Sequence, residues 1–185
     1  MENQDKFNLY KNILREWSSR MNLVAPSTLN DIDNRHIADS AQLADFLPKN
    51  CEVIDLGSGA GFPSVVLAIL GWHVIATESI GKKVMFLSEV KKQLNLDNLT
   101  IYHGRVEDYI AALPKNKKYI FTARAFAPLI KILDYVGKTN YELFLLKGRD
   151  ITNEINLAKT KYRFDFKLYP SKTGDGFIIN VKKGR

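Results

Sequence analysis

Val53-Ile-Asp-Leu-Gly57-Ser-Gly59-Ala-Gly61-Phe62-Pro63 is the stretch on which the fold turns. Val53 to Leu56 reads as a short apolar strand, and glycines follow at every second position. Pro63 then suits the first turn of a helix that Val65 to Leu70 continues. Glycines between a strand and a helix let the backbone bend tightly and approach a ligand closely. A dinucleotide fingerprint needs glycine at the first, third and sixth places, and the sixth place here is Phe62. A Walker-type phosphate loop is excluded, because no Gly-Lys-Ser/Thr follows. The next strand, His73 to Thr77, ends in Glu78, about twenty residues past the first glycine, where a carboxylate can accept both hydroxyls of a ribose. Loop after strand, helix after loop and acid at the next strand end together point to a cofactor that contains a nucleoside.

Upstream, Phe7, Tyr10, Leu14, Trp17 and Met21 recur at steps of three and four, which predicts an amphipathic helix facing a core. Pro26 and Ser27 mark a loop. A second helix is expected from about Asp33 to Phe46, with Asp33 as its N-cap and Pro48 ending it. Downstream come a helix from Gly81 to Leu96, strands at Leu99–Tyr102 and Tyr119–Thr122, a helix at Leu129–Val136 and a strand at Tyr141–Leu146. Such alternation predicts an α/β fold with a doubly wound, mostly parallel sheet. Tyr162, Phe164, Phe166 and Leu168 alternate with polar residues as a half-exposed strand. The turn-rich Pro170 to Gly176 leads to a returning strand, Phe177 to Val181, so the expected sheet closes on a C-terminal antiparallel hairpin. We expect one domain, with N-terminal helices over about 5–47 packed on an α/β core over about 51–185.

The chain has 185 residues, of which 45% are hydrophobic, enough for a sizeable core. Its start lacks the apolar stretch of a secretory signal, and the longest aliphatic run, Val65 to Leu70, cannot span a bilayer. A cytoplasmic monomer is expected. One cysteine, Cys51, rules out an internal disulfide framework and makes a cysteine-rich zinc site implausible, so no metal is expected. It is read as a small buried residue before the first strand. A net charge of +7 favours an anionic partner such as nucleic acid, although a lysine-rich composition alone produces much of this charge.

Glycine at the first, third and fifth places, preceded by Asp55, resembles motif I of the S-adenosylmethionine methyltransferases. Narrower matches are Arg35-His-Ile-Ala-Asp-Ser40, Glu78-Ser-Ile-Gly-Lys-Lys83 with Phe86-Leu87, Gly104-Arg-Val-Glu107, Arg124-Ala-Phe-Ala127 and Lys147-Gly148. Together they resemble the glucose-inhibited division protein B family, the bacterial guanine-N7 methyltransferases of 16S ribosomal RNA, along essentially the whole chain. The resemblance implies a class I methyltransferase fold and S-adenosylmethionine as cofactor. The implied partner is 16S ribosomal RNA or the small-subunit precursor. It places Gly57, Gly59, Gly61, Phe62 and Glu78 at the cofactor, Val106 and Glu107 at its adenine, and Arg124 beside it near the target base. It also makes His36 and Asp39 lid residues on the substrate side. Phe126 is a candidate to stack on an extruded base, and Lys82, Lys83 and Lys147 are candidate phosphate contacts. Ser64 stands where many members have glycine, and Glu78 where many have aspartate.

Guanine N7 offers an in-plane lone pair and no proton, so alignment matters more than a general base. Cys51 precedes the first strand, at the wrong end for a C5-methylating thiolate. The place of an exocyclic-amine motif reads Arg124-Ala-Phe-Ala-Pro128 instead. Arg124 is therefore expected to position rather than to transfer protons. It would repel the cation forming on N7 unless turned toward a phosphate or carboxylate. A methyltransferase for a small molecule or another RNA is the alternative on the same fold. A nicotinamide-dependent oxidoreductase is disfavoured by Phe62, and a non-catalytic RNA-binding module by the intact loop.

Overall fold

The computed structural model describes residues 1–184. β1 (Glu52–Asp55), β2 (His73–Glu78), β3 (Leu99–His103), β4 (Lys118–Arg124) and β5 (Asn140–Lys147) pair in parallel, while β7 (Phe177–Lys183) runs against both β5 and β6 (Phe164–Pro170). The strand order is β3-β2-β1-β4-β5-β7-β6. The chain thus builds outward from β1 in one direction and then returns to its other side at β4. The carboxyl ends of β1 and β4 flank the crevice where ligands of open α/β sheets bind.

Strand residues are buried on both faces, which is why β1, β4 and β5 read as continuous apolar runs. Val53, Ile120, Phe144 and Ile178 face a core with α1 (Asn3–Ser18), α3 (Ser64–Ile69) and α4 (Gly81–Gln93). Their neighbours Ile54, Phe121, Leu143 and Ile179 face a second core with α5 (Val106–Ala111), α6 (Leu129–Val136) and α7 (Ile151–Lys159). α7 was not expected, although Ile151, Ile155 and Ala158 carry helical spacing and are buried. On the edge strand β6, Phe166 points outward, covered in part by the Lys159 ammonium 4.8 Å from its ring.

Several local expectations are corrected. Pro26–Asp31 is a 3-10 helix rather than a loop. The expected second helix is composite: π-helical over Asp33–Ala38, α-helical over Asp39–Ala41 (α2) and 3-10 over Gln42–Asp45. Asp33 is not its N-cap, because Ile32 before it is already helical and the carboxylate instead accepts from Lys11 Nζ at 2.8 Å. Pro63 follows a cis peptide bond and precedes α3 by one residue. α4 stops before Leu96 because Asn95 takes a left-handed conformation (φ 50°). Cys51 is half-buried rather than buried.

The two ends of the sheet treat buried charge differently. At the amino end of the parallel strands, Glu142 accepts from Lys118 at 2.6 Å, Asn180 at 3.1 Å and Lys182 at 3.2 Å. Burial alone would raise its pKa, but these donors outweigh it and hold the carboxyl below its ordinary range. Asp55, at the carboxyl end of β1, is fully buried and neither carboxylate oxygen completes a hydrogen bond among the described residues. Burial pushes this carboxyl up to about 6, tempered by the nearby Ser58 and Ser64 hydroxyls. The folded state therefore holds this proton more tightly than the unfolded chain, and the cost of the bare carboxylate grows as pH rises from about 4 to 6. Asp55→Asn should leave stability near pH 4 almost unchanged and raise it by about 2–3 kcal/mol above pH 7. Urea midpoints at pH 4.5 and 7.5 check this, and an equal difference at both would refute the raised pKa.

Candidate active site

The loop after β1 is held from both sides. Gly57, Gly59 and Gly61 have φ of 69°, 57° and 87°, a region that L side chains rarely enter. The Gly57 N–H donates to Thr77 Oγ1 (3.1 Å), and the Thr77 hydroxyl donates to the Asp55 carbonyl (2.8 Å). Glu78 reaches back to accept from the Gly59 N–H at 2.9 Å with one oxygen and from the Ile80 N–H at 2.8 Å with the other. From the opposite side, the fully buried Tyr10 of α1 donates to the Ala60 carbonyl at 2.5 Å. A Cβ on Gly61 would come within 2.5 Å of Val65 and 3.0 Å of the Tyr10 hydroxyl, so that place admits only glycine. A Cβ on Gly59 would meet nothing closer than 3.9 Å and would project into open space.

Gly57, Glu78, Val106, Glu107 and Phe126 line a cavity of about 320 Å³ beside this loop, which Lys83 also borders. Gly59 meets it through its bond to Glu78, whereas Gly61 and Phe62 lie behind the loop in the core. Glu107 sits in the first turn of α5, where its own backbone N–H and then Arg105 lower its pKa. Lys82 is exposed on the first turn of α4 and does not line this cavity.

Arg124, the last residue of β4, makes three polar contacts with one composite segment of the N-terminal layer. Its Nε donates to Asp39 Oδ2 at 2.7 Å, one terminal nitrogen meets His36 Nδ1 at 2.9 Å, and the other donates to the Arg35 carbonyl at 2.6 Å. Arginine is always protonated, so His36 Nδ1 is the acceptor and its proton sits on Nε2, 2.8 Å from the Thr28 hydroxyl. The His36 ring stacks on Phe62 with centroids 4.8 Å apart. Burial, followed by the Arg124 charge, lowers its pKa to about 4, so the imidazole is neutral near pH 7. The other Asp39 oxygen accepts from Gln42 and from Thr173, each at 2.9 Å.

A second cavity, of about 610 Å³, opens on the far side of Phe126 and is bordered by Asp39, Arg124 and Lys147. Ala125 (φ 50°) and Phe126 line both cavities. The Phe126 ring lies so close to Gly57 that a Cβ there would fall 2.4 Å from it. Lys147 turns inward, donating to the Ala127 carbonyl (2.6 Å) and to Glu154 Oε2 (2.7 Å), an oxygen that also accepts from the Leu129 N–H. Sequence reasoning missed Glu154 with its helix, and missed Tyr10, Thr77 and Thr173. Tyr10 falls on the apolar stripe of its helix, and nothing local marks the threonines.

The family model described as rRNA small subunit methyltransferase G matches residues 3–173. A curated protein of that name from Dinoroseobacter shibae is 40% identical over 181 residues, covering 92% of this chain and 90% of its own. Another from Bartonella tribocorum is 37% identical, covering 97% of this chain and 85% of its own. Among solved structures, the O-methyltransferase from Bacillus cereus aligns with a TM-score of 0.62 at 13% identity, covering 94% of this chain and 90% of that one. A rRNA methylase from Streptococcus thermophilus aligns at 0.54 and 17% identity, covering 77% and 92%. Those two likenesses show the class I methyltransferase fold, and the match along nearly the whole chain shows that it belongs to the rRNA small subunit methyltransferase G family.

Proposed function

We propose that this enzyme transfers the methyl group of S-adenosylmethionine to N7 of a guanine in 16S ribosomal RNA, acting as a cytoplasmic monomer on the RNA or the small-subunit precursor. We read the N-terminal layer and the α/β core as one functional domain. The observation that carries the reading is that two cavities meet at Ala125 and Phe126, one beside the glycine loop and one at the carboxyl ends of β4 and β5. A donor and an acceptor in those places would meet at these two shared residues. Membership of the family supplies the acceptor.

The residues of the smaller cavity fit S-adenosylmethionine. Glu78 keeps lone pairs free to accept from ribose hydroxyls, and Gly59 leaves open space above the loop. The Asp55 carboxylate, unpartnered among the described residues, adds a negative field suited to a cationic ligand. When bound, this cofactor supplies an electrophilic methyl group on a sulfonium. A guanine N7 would take up that methyl group through its in-plane lone pair, so the site needs no general base. The protein's part is alignment. Phe126 offers a face for the base. Arg124, held to Asp39 and to neutral His36, fixes the N-terminal layer against the end of β4 and presents a compensated charge to the forming N7 cation.

Purified protein, S-adenosylmethionine and 16S ribosomal RNA lacking the modification should yield N7-methylguanine at one site, read by cleavage of the RNA at the modified base. Methylation of small molecules but never of RNA would favour the alternative. Gly59→Val should abolish cofactor binding in calorimetry, since a branched side chain at positive φ is strained and its bulk enters the open space over the loop. An unchanged affinity would put the cofactor elsewhere. Arg124→Ala should lower the single-turnover rate about 100-fold or more in folded protein, since a misplaced reacting group costs about that much. Lysine should rescue poorly, because it cannot reproduce the three directed contacts. Wild-type rates in the alanine variant would remove this arginine from the mechanism.

A further inference from the structure

The larger cavity is walled by a turn of which only Thr173 has been placed so far. Ser171 to Gly176, between β6 and β7, is fixed at both ends. Gln42 donates to Ser171 Oγ (3.0 Å) and accepts from the Lys172 N–H (3.0 Å), and Thr173 donates to Asp39. At the other end the Ser171 N–H bonds the Gly176 carbonyl, and Gly176 runs so close to β5 that a Cβ would fall 2.6 Å from the Lys147 carbonyl. Lys172 adds an exposed ion pair to Asp45, and the turn is held without using the Asp175 side chain. Between the two rims the space is open, because a Cβ on Gly148 or on Gly174 would meet nothing within 4 Å.

Four cationic side chains among the described residues border this cavity, and they differ in what holds them. Arg124 and Lys147 are bound inward. Arg35 is exposed. Arg149 has one partner among the described residues, Asp175, across the mouth of the cavity, with side chains 81% and 68% exposed. An ion pair so open to water contributes at most about 1 kcal/mol. A phosphate accepts the same two parallel N–H bonds from a guanidinium that a carboxylate does, so an RNA phosphate at the mouth can take the place of so weakly held a partner.

We infer that the cavity between Phe126 and the Ser171–Gly176 turn receives the target nucleotide of the RNA, and that Arg149 leaves Asp175 to bind a phosphate of that nucleotide. This rests on the RNA reading above. Asp175 then acts as a stand-in anion that holds the guanidinium at the mouth and competes with the RNA. The two partners of one ion pair are thereby given opposite effects, which a purely structural pair would not have.

The test uses full-length protein, unmodified 16S ribosomal RNA and labelled S-adenosylmethionine. Arg149→Ala should raise the RNA concentration for half-maximal single-turnover rate about tenfold, leave the maximal rate within about twofold, and leave cofactor affinity unchanged. The slope of log affinity against log salt should fall in magnitude by about 0.7 to 0.9, the share of one lost phosphate contact. Asp175→Asn should shift the half-maximal concentration the other way, by a few-fold. The pair is exposed, so both variants should fold with stability within about 0.5 kcal/mol of wild type. Wild-type RNA response in Arg149→Ala, or weakened RNA response in Asp175→Asn, overturns the assignment while leaving the RNA reading in place. Wild-type protein that does not methylate the RNA overturns that reading itself, and this inference with it.

Discussion

The reversal of strand order between β1 and β4 is the constraint from which the rest follows. Two parallel strands that leave in opposite directions cannot have their following loops packed together, so a crevice opens at their carboxyl ends. The loop after β1 falls on one side of it and the Arg124–Ala127 turn on the other. Residues from several other elements brace these two segments. Thr77 and Glu78 hold the first from β2, Tyr10 holds it from α1, and Asp39 and His36 hold the second.

The N-terminal layer is therefore part of the site's construction rather than an appendage. Tyr10 touches the glycine loop and the composite segment from Asp33 to Asp45 touches the end of β4, so one layer braces both sides of the crevice. Asp39 is the hub, binding Arg124 with one oxygen and Gln42 and Thr173 with the other. Through it three segments distant in sequence share one corner. The π-helical stretch at Asp33–Ala38 fits this role, since wider turns of helix are common at functional sites.

The parts of the fold that burial dictates were legible in the sequence. Strands sandwiched between two helical layers must be apolar throughout, so they announce themselves as short aliphatic runs, and the glycine loop announces the backbone conformation it needs. What was not legible depends on pairing across distance. The Arg124–Asp39 contact spans 85 positions, and no local pattern encodes it. Lys147 looks in sequence like a free surface cation, yet Glu154 from an unexpected helix turns it inward. The composite form of the second helix was equally hidden, because its buried residues His36, Ile37, Ser40 and Leu43 fit the ordinary helical period.

The proposed chemistry makes one further sense of this corner. Methyl transfer from sulfonium to N7 moves a positive charge a short distance without creating or neutralising any. A site for it should neither attract nor repel strongly at the receiving end. An unpaired arginine beside N7 would oppose the reaction, since charge interactions strengthen in a dehydrated cleft. Arg124 is instead turned onto the Asp39 carboxylate, and its other neighbour, His36, is kept neutral by burial and by Arg124 itself. The guanidinium can thus serve as a rigid three-point fastener while adding little net field at the base. A lysine there would leave a concentrated charge with fewer fixed partners, and a histidine that titrated near neutrality would add a second cation. The residue types at Arg124, Asp39 and His36 are the ones that satisfy geometry and charge together.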